Sequence, residues 1–177
     1  VEELEGSGVL SVLLSRKGGI WGGEGKVPVE ASKRFTFYRD QARLEVGYEI
    51  ANRGAAETSL WFGVELNLTL LAGNDPRRHF LFPGLKVEDR RLCSLGTIPE
   101  LEHLRLRDES AEFELSLDLS PKGQLWRFPL ETVSQLESGF QKTYQGTVLL
   151  FHWPFSLKPG EKIPLGITLS LEGIRTT

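Results

Sequence analysis

Phe128–Phe155, FPLETVSQLESGFQKTYQGTVLLFHWPF, is the stretch whose reading decides the fold. Two extended runs flank a glycine-containing turn around Leu136–Phe140. In the first, Leu130, Thr132 and Ser134 alternate with Glu131, Val133 and Gln135. In the second, Val148 and Leu150 alternate with Leu149 and Phe151, so both sides of the run are apolar. A period of two marks a strand, and a run apolar on both sides marks a strand covered on both faces. The stretch therefore predicts a hairpin whose second strand lies in the middle of a sheet.

Upstream, the same period recurs. In Ala42–Ala51, Leu44, Val46, Tyr48 and Ile50 share one side and Arg43, Glu45, Gly47 and Glu49 the other, and Asn52-Arg53-Gly54 supplies a turn. Leu60–Leu71 alternates most regularly: Phe62, Val64, Leu66, Leu68 and Leu70 on one face, Trp61, Gly63, Glu65, Asn67 and Thr69 on the other. A slip of one residue would bury Glu65, so this register is well specified. Leu104 and Leu106 alternate with His103, Arg105 and Arg107, and Phe113, Leu115, Leu117 and Leu119 with Glu112, Glu114, Ser116 and Asp118. Ile163, Leu165, Ile167, Leu169 and Leu171 close the chain in the same manner after a Lys158-Pro159-Gly160-Glu161 turn. Three stretches read differently. IWGGEGK predicts a glycine-rich loop, Pro121-Lys122-Gly123 a turn, and Arg77–Pro99 a long segment without period. Many short strands with no capped helical period predict an all-β, antiparallel two-sheet β-sandwich of roughly ten strands.

The 177 residues fit a single domain over 1–177. A formal charge of -3 gives no basic field for a phosphate backbone, so nucleic acid is not expected as a partner. No run reaches the ~20 apolar residues of a bilayer span, so no membrane partner is expected. The single cysteine, Cys93, has no internal disulfide mate, which fits a reducing, cytoplasmic setting. No methionine occurs at all, as expected of a piece of a longer polypeptide.

Chemistry-bearing residues are few. Trp61, Glu65 and Asn67 share one side of their strand, and an indole beside a carboxylate and an amide suits a sugar: the ring face stacks while hydroxyls hydrogen-bond. Trp126, Arg127 and Glu131 form a second cluster, with Arg127 and Glu131 placed to make a surface ion pair. A Glu65–Glu131 pair would serve glycoside hydrolysis only at a separation of about 5 to 10 Å. An ordinary solvated strand face is the simpler account of both clusters. His79, His103 and His152 lack metal-ligand spacing, and His152, between Phe151 and Trp153, reads as a core or interface histidine. GGIWGGEG lacks the lysine and helix of a phosphate loop. No cofactor, no metal and no catalytic residue are expected.

The segments ETVSQLESGFQKTYQGTVLLFHW and LEVGYEIANRG with WFGVELNLTLLAG resemble the C-terminal β-sandwich domain of glycoside hydrolase family 57 α-amylases and 4-α-glucanotransferases. The resemblance covers about Lys33–Leu171 and leaves residues 1–32 as an atypical, glycine-rich part. It implies a galactose mutarotase-like fold, or supersandwich, that follows a catalytic (β/α) barrel not contained here. The function it implies is a non-catalytic accessory domain contacting α-glucan or supporting the catalytic domain; Trp61, Glu65, Asn67, Trp126, Arg127 and Glu131, read from the strand faces, are the candidate contacts. The alternatives are a mutarotase-like epimerase acting on a hexose and a purely structural interaction module.

Overall fold

A computed structural model describes residues 2–6, 8–22, 25–137 and 139–174. Among them every regular element is a strand: β1 (Glu2–Gly6), β2 (Val9–Gly22), β3 (Gly25–Tyr38), β4 (Arg43–Asn52), β5 (Thr58–Leu68), β6 (Arg78–Leu81), β7 (Gly96–Asp108), β8 (Phe113–Leu136), β9 (Gly139–Leu157) and β10 (Lys162–Gly173). Every strand pair whose register is defined runs antiparallel. The chain divides into two compact units, the first from residues 1–62, 117–121 and 153–170, the second from residues 63–116, 122–152 and 171–177.

In the first unit the strands follow the order β1-β2-β3-β4-β10. β3 and β4 meet with Phe35 opposite Val46, and β10 closes on β4 with Ile167 opposite Val46 and Leu165 opposite Tyr48. The expected alternation of β4 is present: Val46 and Ile50 are buried, Leu44 and Tyr48 partly covered. Apolar faces of this kind gain about 1.5–3 kcal/mol for each large side chain fully removed from water. Tyr48 meets Phe62 edge-on at 5.3 Å, Phe62 stacks on Trp153 at 6.5 Å, and the Trp153 indole N–H donates to Pro121 O at 3.1 Å. Asn52 organises the turn that its position announces: Nδ2 donates to Ala56 O and Leu157 O, and Oδ1 accepts from the Gly54 N–H.

Of IWGGEGK, residues 20–22 and 25–26 are strand rather than loop, and Gly23 and Glu24 lie outside the described residues. β2 and β3 form a long hairpin paired from Val9↔Tyr38 to Gly22↔Gly25, because the ladder uses backbone groups and glycine has those too. A Cβ at Gly19 would stand 2.6 Å from Cε of the flexible Lys26 side chain on β3.

In the second unit β6 pairs with β7 and β8 with β9, and β9 also pairs with β5. β9 is thus the central strand that Val148–Phe151 predicts. Thr147, Val148, Leu149, Phe151 and His152 are all buried, together with Leu101, Leu104 and Leu106 from β7 and Leu125 from β8. The hairpin turn falls after Leu136, with Leu136 opposite Gly139, whose φ of 130° suits glycine. Ser138 in that turn lies outside the described residues. Pro121-Lys122-Gly123 is no turn, for β8 runs through it without a break. The aperiodic segment 77–99 is ordered by packing, burying Phe80, Phe82, Leu92 and Ser94.

Candidate functional site

On β5 the burial alternates without exception from Ser59 to Asn67. Trp61, in the first unit, is 51% exposed. Glu65 and Asn67, in the second, are both exposed, and Asn67 Nδ2 donates to Glu65 Oε1 at 3.0 Å. That bond leaves the amide carbonyl oxygen and the second carboxylate oxygen of these exposed side chains as further acceptors.

The second cluster does not form as the sequence suggests. Trp126 is exposed and meets the buried His152 ring edge-on at 4.6 Å, and burial pushes the His152 pKa below its ordinary value. Arg127, expected on the surface, is only 3% exposed. Its Nη1 donates to Ser94 Oγ and its Nη2 to Asp89 O at 2.7 Å, with the guanidinium over the Phe80 and Phe82 rings. Burial lowers the Arg127 pKa against the opposing pull of Asp89. The expected Arg127–Glu131 ion pair is therefore absent. A bulge at Leu130/Glu131 shifts the register between them, and Glu131 pairs instead with Lys142 at 3.3 Å. Nor does the structure join Glu65 to Glu131, since one is held by Asn67 and the other by Lys142. What Arg127 does is fasten the segment before β7. Thr147 Oγ1 bonds Leu92 O in the same segment at 2.7 Å, and Cys93 N donates to Gly73 O.

Two surface depressions escaped sequence reasoning. In the first unit a trough of about 520 Å³ lies over Ser15, Ser32 and Gly47, flanked by the ion pairs Arg53–Glu30 and Lys162–Glu49. Its signal is visible in the register, which sets Ser15 opposite Ser32 and Arg34 opposite Gly47, small and polar groups on one face. In the second unit a shallow cleft of about 530 Å³ is lined by Arg78, His79, Glu88, Asp89, Arg90 and Arg91. The side-chain hydrogen bond from Arg91 holds the Asp89 carboxyl down at about 2, and Arg78 is committed to Asp108 at 2.7 Å. Neither depression contains any of the six candidate contacts. Among the described residues no group of three His, Cys, Asp or Glu side chains could hold a metal ion, and no helix is long and apolar enough to cross a membrane.

Four likenesses bear on this geometry. The family model of the C-terminal domain of alpha-amylase/4-alpha-glucanotransferase matches residues 4–167, beginning well inside the glycine-rich part that the sequence reading set apart. Alpha-amylase 1 of Dictyoglomus thermophilum is 35% identical over 131 residues, 74% of this chain and 18% of that protein. Among solved structures, 4-alpha-glucanotransferase from Thermococcus litoralis aligns over 98% of this chain and 22% of its own, with a TM-score of 0.64 at 19% identity. A galactose mutarotase-like protein from Clostridium acetobutylicum aligns over 98% of this chain and 66% of its own, with a TM-score of 0.67 at 10% identity. At such identities the structural likenesses establish the mutarotase-like, all-β fold and nothing further. The chain spans about a fifth of the length of the amylase and glucanotransferase relatives.

Proposed function

Because this chain belongs to the family of C-terminal domains of alpha-amylase and 4-alpha-glucanotransferase, we propose that it is an accessory module of an α-glucan-active enzyme, acting over 1–177 as one non-catalytic unit. The catalytic (β/α) barrel of glycoside hydrolase family 57 is its partner in this reading, and the cytoplasm its compartment. The single observation that carries the reading is the family match across residues 4–167.

Glucan contact is the more specific part of the proposal. It is supported by the exposed indoles of Trp61 and Trp126 and by the exposed, mutually bonded Glu65 and Asn67 side chains. Glu131 stays among the candidate contacts through its exposed carboxylate. Arg127 leaves the set, because its guanidinium is spent on Ser94 and Asp89. Epimerase chemistry gains no support from the fold alone. His152 is buried against Trp126, and the proposal needs no proton transfer from it.

The test is a titration of maltoheptaose and amylose into the 177-residue chain, followed by intrinsic tryptophan fluorescence. The expected result is a saturable shift that Trp61→Ala weakens at least about tenfold, the loss of one stacked ring. No shift up to millimolar sugar overturns glucan contact and leaves support of the catalytic partner as the module's task.

A further inference from the structure

The outer half of the β8–β9 hairpin has no part in the glucan-contact surface apart from Glu131. From Glu131 to Gln135 and from Gly139 to Thr143 every described side chain is exposed, yet pairing continues out to Leu136↔Gly139. Residues directly opposite in an antiparallel pair stand on the same face. The register therefore places Glu131, Val133 and Gln135 with Tyr144, Lys142 and Phe140 on one face, and Thr132 and Ser134 with Thr143 and Gln141 on the other.

The two faces differ in kind. The second carries hydroxyls and amides, with Gln145 Nε2 donating to Thr132 Oγ1 at 3.1 Å. The first carries Phe140 at 78% exposure and Val133 at 59%, with the Glu131–Lys142 ion pair between Val133 and the root. Val133 and Phe140, both exposed, lie on this one side above the bulge. A two-stranded ribbon by itself is only marginally stable in water.

We infer that the Val133–Phe140 face of this arm docks on the catalytic portion of an amylase-type enzyme. The inference rests on the accessory-module reading above and names the surface that the module would use. Two observations select this occupant. The matched region is 18% of the Dictyoglomus amylase and 22% of the Thermococcus glucanotransferase, so in both relatives about four-fifths of the chain lies beyond it. The face is also only three residue pairs long, far short of the ~800 Å² per partner that holds two free proteins together. So small a contact suffices when its partner is tethered, where the effective concentration reaches the millimolar range. A free second copy has no such advantage.

The experiment uses the full-length gene product with p-benzoylphenylalanine at position 140 or, on the opposite face, at position 143, followed by photolysis and peptide mapping. The expected result is cross-linking from position 140 into sequence outside these 177 residues, with at least about tenfold less from position 143. Covalent dimers through a second copy, equal yields from both positions, or no protein cross-link each overturn the docking. If the bulky residue itself prevents docking, Phe140→Ser is the second variant. Amide exchange at least about tenfold faster in a segment of the catalytic portion supports the inference, and unchanged exchange overturns it. Conversion of amylose by the same preparation separates the two levels. Conversion without cross-links ends the docking and leaves the accessory reading intact, absence of both ends the accessory reading as well, and cross-links without conversion overturn the stated partner.

Discussion

The root and the outer half of the β8–β9 hairpin share one antiparallel ladder, from Gln124↔His152 to Leu136↔Gly139, and differ in almost everything else. At the root, β9 is flanked by β8 and β5, and Thr147, Val148, Leu149, Phe151 and His152 are all buried. Beyond the bulge at Leu130/Glu131 the same two strands continue with their described side chains exposed through Thr143. Backbone pairing is thus common to both halves and cannot be what distinguishes them. The stability of the root lies in apolar area removed from water, while the outer half keeps its ladder with little burial behind it.

That contrast fixes the order of expected effects. Phe151→Ala, which empties a fully buried ring site at the root, should lower the unfolding free energy of the 177-residue chain by about 3–5 kcal/mol, read from its denaturant midpoint. A loss below about 1 kcal/mol would break the comparison by showing that burial at the root contributes little. His152 gives a smaller, pH-dependent effect. Its folded pKa lies below the unfolded value of about 6.5, so the unfolded chain takes up the proton first. The stability contributed by neutral His152 is complete above that pH and is lost as the pH falls from there toward the folded pKa. The midpoint should therefore decline on acidification through this window, and His152→Gln, which does not titrate, should flatten that part of the profile. An unaltered profile in the variant would mean that other groups govern the decline. The smallest effect belongs to Phe140→Ser. In the 177-residue chain it should change stability by no more than about 0.5 kcal/mol, because little of that ring leaves water on folding. A larger loss would sharpen the comparison against us, by showing that the outer half is packed in solution.

What could be read from the sequence follows the same division between side-chain pattern and backbone pairing. β5 was legible residue by residue, since one buried face and one wet face impose a period that Val64 inside and Glu65 and Asn67 outside obey. Val148–Phe151 announced a central strand by the opposite pattern, a run apolar on both sides with Val148, Leu149 and Phe151 all buried. The β2–β3 hairpin was not legible, because Gly18, Gly19, Gly22 and Gly25 carry no side-chain pattern and its ladder is made by the main chain. Arg127 misled for a different reason. Alternation put it beside Glu131, but its partners, Ser94 and the Asp89 carbonyl, come from a segment without period that no local rule connects to β8. The bulge that separates Arg127 from Glu131 likewise leaves no mark in the residue types.

The pairing of β4 with β10, Lys162 opposite Ala51 and Leu169 opposite Leu44, has a consequence for the order of biosynthesis. A ribosome delivers β4 about a hundred residues before β10, so until β10 emerges β4 has β3 on one edge and an open row of N–H and C=O groups on the other. Nascent chains halted before Lys162 should therefore present an unsatisfied strand edge to any neighbour on the same polysome. Only translation through β10 supplies β4 with its second partner, so the first unit cannot close its sheet before residues 162–173 have been made.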